Sequence, residues 1–293
     1  PRARRTRSRP APETRQMERI KAAISRAKLA RGDAPPAPAL GPSTRYGERA
    51  PSAAPPAWDS LPVIETSEEK LIDSRIVTFS KDDPAHVPFD ILRTKILRLL
   101  EANNWTSIAV TSPTMSCGKT MIATNLAFSF ARQRASRCLL ADVDLKRPQL
   151  RKVLGIQSEL SMGDYLMGGI EPEDFFVRIG DNLAVGPTQQ SFRHSAELLQ
   201  HPAAGKALNR MKSVLKPDVI IYDLPPMLAS DDAMSFMAHV DCALLIAAAG
   251  TTTARNLDDC ERQLSELVPI AGVILNKFDL KSESYSYYEY DYV

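Results

Sequence analysis

Between residues 107 and 276, short apolar runs alternate with longer segments of helical spacing, and this alternation constrains the fold more than any other feature. The runs cover 107–111, 138–142, 182–186, 218–223, 242–248 and 272–276, and they are rich in Val, Ile, Leu and Ala. Helical patterns at 121–134, 196–214, 231–239 and 254–267 lie between most of them. Strands that are apolar on both faces and separated by helices predict an α/β fold, a doubly wound, mostly parallel sheet covered on both sides. No internal repeat is apparent.

The flanks read differently. Residues 1–62 hold 11 of the 22 prolines with many Ala, Arg and Ser, and bury too little apolar surface to offset the entropy of ordering. The expected organisation is therefore a disordered basic arm (1–65), one globular domain (66–281) and a tail (282–293). Within the arm, Met17, Ile20, Ile24 and Ala27 recur at helical spacing among Arg and Lys, the pattern either of a basic amphipathic helix or of a transient helix in a solvated segment. Residues 1–50 carry 13 Lys/Arg against 4 Asp/Glu, a net of +9; the whole chain is +2, leaving −7 for the remainder. A basic arm on an acidic body points to a membrane surface or an acidic partner. Nucleic acid is not expected, because the one aromatic of residues 1–50, Tyr46, gives bases no interleaved stacking surface. The cysteines, 117, 138, 242 and 260, show no metal-ligand spacing and read as reduced thiols of a cytoplasmic protein. Neither a secretory signal nor an apolar run of membrane-spanning length is visible.

Three motifs fall at strand ends, where open α/β sheets bind ligands. The first run leads into Ser112-Pro-Thr-Met-Ser-Cys-Gly118-Lys119-Thr120 and then a helix. A strand–loop–helix ending in Gly-Lys-Thr is the working end of a Walker A loop, which marks a P-loop NTPase. Backbone amides and the helix N-terminus face phosphates, Gly118 lets the backbone approach, Lys119 reaches the β- and γ-phosphates and the Thr120 hydroxyl binds Mg²⁺. Ser116, Cys117 and Met121 complete the expected nucleotide-binding stretch. The second motif, Asp142-Val-Asp144-Leu-Lys146-Arg147-Pro148, and the third, Asp223-Leu-Pro225-Pro226, place carboxylates where a hard cation beside phosphate needs oxygen ligands. A fourth stretch, Asn276-Lys277-Phe278-Asp279, matches the guanine-reading Asn-Lys-x-Asp of GTPases and leaves the base open at this point.

Together these residues resemble the bacterial tyrosine kinases of capsule and exopolysaccharide synthesis, over about residues 75–293. The likeness rests on Gly118-Lys119-Thr120, Asp142/Asp144, Asp223 with Pro225-Pro226, the stretches around Pro148–Leu150 with Gly155 and Ser195–Leu199, and five tyrosines near the C-terminus: Tyr285, Tyr287, Tyr288, Tyr290 and Tyr292. It implies an ATP- and Mg²⁺-dependent protein-tyrosine autokinase that regulates polysaccharide polymerisation or export, with the five tyrosines as phosphorylation sites. Catalytic roles then fall to Lys119, Asp142, Asp144 and Asp223, metal contacts to Thr120, Asp142 and Asp223, and a place near adenine to Asn276. The implied partners are a membrane-anchored activator or polysaccharide co-polymerase, further copies of the chain and a tyrosine phosphatase, at the inner face of the plasma membrane. An ATPase switch similar to the cell-division-site and partition ATPases, or a nucleotide-binding scaffold, is the alternative. Two departures stand out. The loop glycine of the family is Ser116 here, which adds strain if that position needs φ > 0. Of the family's Glu-x-x-Arg-x-x-Arg assembly helix, only Arg93 is present.

Overall fold

The computed structural model describes residues 54–133 and 136–278. Among them, seven strands form one sheet: β1 (Ser107–Thr111), β2 (Cys138–Asp142), β3 (Val177–Ile179), β4 (Leu183–Gly186), β5 (Val219–Asp223), β6 (Cys242–Ala248) and β7 (Ile270–Asn276). Their order across the sheet is β3-β4-β2-β5-β1-β6-β7. Every neighbouring pair is parallel except β3–β4. The expected doubly wound, mostly parallel sheet is what forms.

The apolar runs divide by parity. Ala109, Leu139, Ala141, Ile220, Tyr222, Ala243, Leu245 and Ala247 enter one core layer. Ile108, Val110, Leu140, Val219, Ile221, Leu244 and Ile246 enter the other. Both faces of each central strand are therefore buried, which is why these segments read as near-continuous apolar runs rather than as alternation.

Four longer helices cover the sheet: α1 (Val87–Asn103), α2 (Lys119–Ala131), α3 (Pro202–Leu215) and α4 (Ala254–Ser265). Helices α1 and α2 lie on one layer through Ile96, Leu100, Ile122, Leu126 and Phe130. Helices α3 and α4 close the other through Leu208, Met211, Leu215, Leu257 and Leu264. Their starts are set locally. Pro202 occupies the first turn of α3, and Thr253 caps α4 by accepting from the Asn256 amide.

Some boundaries depart from expectation. The helical segment 196–214 is two helices, Ser195–Gln200 and α3, because residue 201 before Pro202 is pushed into extended backbone (ψ 138°). The three-residue β3 was too short to leave a pattern. The folded body also extends into the segment assigned to the arm. Trp58 and Leu61 are buried in the α3/α4 layer, the Trp58 indole donates to the Asp181 carbonyl at 2.9 Å, and Val63 bridges to Arg178. One large aromatic gives this Pro/Ala-rich stretch enough apolar area to join the core. The amphipathic island and the five tyrosines lie outside the described residues. All four cysteines are free and buried. Among the described residues, no helix is long and apolar enough to cross a membrane.

Candidate functional site

Strands β2, β5 and β1 are adjacent in the sheet, so their carboxyl ends, residues 142, 223 and 111, lie side by side. Residues 112–118 follow β1 and lead into α2. The loop is tied at its start to the Pro225-Pro226 segment: the Thr111 hydroxyl donates to the Pro225 carbonyl at 2.7 Å, and the Met227 amide donates to the Ser112 carbonyl at 2.8 Å.

Lys119, the first residue of α2, is only 12 % exposed in its side chain. Its ammonium lies 2.8 Å from Asp144 Oδ2 and 3.7 Å from Asp223 Oδ1. Burial works against its charge, but the carboxylates of Asp223 and Asp144 outweigh that and hold the Lys119 pKa above its ordinary value. The Thr120 hydroxyl donates to Asp223 Oδ2 at 2.5 Å. The second oxygen of Asp144 accepts from the Arg147 amide at 3.0 Å.

Asp142 is fully buried. Its Oδ2 accepts from the Gln149 and Leu150 amides at 3.1 and 3.0 Å. Its Oδ1, like Asp223 Oδ1, has no hydrogen-bond partner although no solvent reaches it. Burial, with the Asp223 charge added, pushes the Asp142 pKa well up; burial likewise raises that of Asp223. Two carboxyls that each want a proton, a cation or a donor therefore face one buried lysine.

The other flank of the loop is neutral. Ser116 and Gly118 both have left-handed backbone, at φ 62° and 88°. The glycine adopts this freely; for Ser116 it stores the strain its replacement of glycine implies. Between them Cys117 is buried, with its thiol 3.2 Å from the Thr114 carbonyl and 3.5 Å from the Thr252 hydroxyl. The Asn276 amide donates to the Cys117 carbonyl at 2.9 Å. Met121 is half-buried on α2, against Asn125.

Lys119, Thr120, Asp142, Asp144 and Asp223 are thus brought together, with Ser116, Cys117, Gly118 and Asn276 along the same loop. Sequence reading missed Thr252, whose place depends on β6 lying beside β1, 135 residues away in the chain. It also missed Asp232, buried and held by Lys146 Nζ at 3.0 Å and the Ser195 hydroxyl at 2.9 Å. Lys146 and Ser195 lie within stretches quoted for the family likeness, but no spacing links them.

Residues 108–290 match the family described as the CobQ/CobB/MinD/ParA nucleotide binding domain. Among curated relatives, the tyrosine-protein kinase wzc of Salmonella typhi is 29 % identical over 245 residues, 80 % of this chain and 33 % of that protein. The tyrosine-protein kinase etk of Escherichia coli K12 is 29 % identical over 234 residues, 76 % of this chain and 31 % of that protein. The chain thus spans about a third of the length of these relatives. Among solved structures, the kinase domain of Escherichia coli tyrosine kinase ETK superposes with a TM-score of 0.60 at 28 % identity, covering 72 % of this chain and 84 % of that domain. The likeness to bacterial tyrosine kinases read from the motifs is borne out by these similarities. With its phosphate loop, its strand-end carboxylates and a match over most of its length, the chain belongs to the CobQ/CobB/MinD/ParA nucleotide-binding domain family.

Proposed function

We propose that this chain is an ATP-dependent protein-tyrosine kinase that phosphorylates its own C-terminal tyrosines and regulates capsule or exopolysaccharide polymerisation or export. One observation carries the reading: a buried lysine and a threonine hydroxyl meet three strand-end carboxylates at one phosphate loop. The relatives named tyrosine-protein kinases supply its direction.

The roles follow from the chemistry. Backbone amides of 116–121 cradle phosphates, and Lys119 leaves Asp144 and Asp223 to neutralise β- and γ-oxygens. Asp144 stores the lysine until then and fixes the Arg147 amide. The Asp142 and Asp223 oxygens that accept no hydrogen bond, together with the Thr120 hydroxyl, would fit a magnesium ion, which keeps several waters and needs few protein ligands. When bound, that ion supplies positive charge to the phosphate oxygens. Asp142 orients the incoming tyrosine hydroxyl or accepts its proton. Phosphoryl transfer is mostly positioning and charge stabilisation, so holding these groups matters more than base strength. Asn276 lies beside the base, and ATP is preferred over GTP.

Tyr285, Tyr287, Tyr288, Tyr290 and Tyr292 are the proposed acceptors. Each phosphate adds about −1.5 to −2 charges, so phosphorylated tails repel and self-associated copies come apart. The folded unit is proposed to run from about residue 54 to the start of the tail. The proposed setting is the inner face of the plasma membrane, with a membrane-anchored activator or polysaccharide co-polymerase and a tyrosine phosphatase as partners.

Incubation with γ-labelled ATP and Mg²⁺ tests the reading. Label should appear on tyrosine, and nearly vanish when the five tyrosines are replaced by Phe while nucleotide binding persists. The family match is shared with one rival, an ATPase switch. Release of free phosphate with no phosphotyrosine would establish that rival instead.

A further inference from the structure

Asn276 ends β7, and its side chain is already engaged. The Nδ2 donates to the Cys117 carbonyl at 2.9 Å, and a Cβ built on Gly118 would stand 2.3 Å from the same nitrogen. We propose that Asn276 is a positioning residue for the phosphate loop, acting through the Cys117–Gly118 peptide, and not solely a reader of the nucleotide base. The proposal rests on phosphates occupying this loop.

The argument begins with peptide geometry. Among the described residues there is no cis peptide bond, so the Cys117 carbonyl and the Gly118 N–H point in opposite directions. With the carbonyl held on Asn276, the amide must face away from β7. A loop that binds phosphate works by turning successive amides to one side, through alternation of left-handed and ordinary backbone. Here left-handed residues stand on both sides of Cys117, and one of them, Ser116, carries a Cβ that resists φ 62°. Such a conformation persists only where its surroundings over-determine it. Two neighbours do so at Cys117. The Thr252 hydroxyl, itself accepting from the Ala248 amide at 2.8 Å, meets the thiol; Asn276 holds the carbonyl. A Cβ at 118 would collide with the Asn276 amide that holds the Cys117 carbonyl, so glycine leaves room for this contact.

Removing the base from the ligand separates this role from base reading. Binding of ATP, GTP and inorganic tripolyphosphate to the full chain is measured by titration calorimetry for wild type and Asn276→Ala. A positioning residue weakens all three ligands by a common factor, roughly threefold to tenfold for one lost hydrogen bond. The ligand-free melting temperature stays within a few degrees, and the Gly118 amide resonance shifts without any ligand. A loss confined to ATP, or no loss for any ligand, overturns the proposal. If Asn276→Ala does not fold, Asn276→Leu keeps the volume without the donor and gives the same comparison. Lys119→Ala is the control: if it binds all three ligands like wild type, phosphates do not use this loop and both readings fall.

Discussion

The two flanks of the phosphate loop are built from opposite materials. On the β2/β5 side, Lys119 and Thr120 are held by charge, with Asp144 and Asp223 paired to them and Asp142 fully buried beside them. On the β6/β7 side, Cys117 is held by neutral groups, the Thr252 hydroxyl and the Asn276 amide. Buried charge is costly unless compensated, so the first flank holds a tension that a polyanion and its cation can relieve. Neutral hydrogen bonds are weaker but carry no net charge, so the second flank holds the loop without adding to that tension. In the proposed reading, one side supplies chemistry and the other supplies geometry.

The strongest way to break this contrast is Lys119→Ala. Transfer to tyrosine should fall by roughly 10²–10³-fold or more, the scale of losing one group that stabilises developing charge. The residue is 12 % exposed and pairs two carboxylates, so the variant should also melt below wild type without ligand, which differential scanning calorimetry would register. An unchanged melting temperature would mean that the ionic flank carries no tension.

Asp142→Asn sharpens the same flank with opposite signs for activity and stability. A carboxyl whose folded pKa lies above its unfolded value binds more protons in the native state. Its contribution to stability is therefore greatest below the unfolded pKa and is lost as pH rises through the raised folded value. Asn removes the charge at constant size, so the unliganded variant should melt a few degrees higher at neutral pH, with a flatter decline in stability above about pH 4. Transfer should drop roughly 10²-fold if Asp142 takes the tyrosine proton. A lower melting temperature at pH 7 would contradict the account of Asp142.

The neutral flank should respond more mildly. Thr252→Val removes the acceptor for the Ala248 amide and the contact to the Cys117 thiol, costing about 1–3 kcal/mol for a buried donor left unmade. Denaturant titration should show that loss with no dependence on pH between 5 and 8, unlike the carboxylate variants. The smallest change is expected from Ser116→Gly. Left-handed strain of about 1–2 kcal/mol is relieved, while glycine's added unfolded-state freedom returns roughly 0.5–1. The net gain of roughly 0–1.5 kcal/mol should appear as slightly higher stability in denaturant titration, with ATP binding unchanged. Weaker binding would show that the serine hydroxyl itself serves the loop.

Much of the ionic flank was legible because it is written locally. Gly118-Lys119-Thr120 follows an apolar run and opens a helix, while Asp142, Asp144 and Asp223 stand at run ends, so a parallel sheet could bring them together only at its carboxyl edge. The neutral flank was nearly invisible. Thr252 is one of three consecutive threonines, and Asn276 read as a base-recognition residue because nothing local says that its amide would be spent on a backbone carbonyl. Trp58 shows the same limit at the other end: a single aromatic in a Pro/Ala-rich stretch looks like a tail residue until a core layer has room for it.

The sequence alone determined the layer architecture and the phosphate loop. Periodicity, strand-end carboxylates and Gly-Lys-Thr are short-range signals tied to backbone geometry. Tertiary structure decided which neighbours hold that loop, how deeply Lys119 and Asp142 are buried, and hence the direction of their pKa shifts. Those depend on strand order, β5-β1-β6-β7, which places residues 135 and 159 positions apart against Cys117. Strand order follows from how both faces of the whole sheet are covered, a property of all the helices at once that no single segment carries.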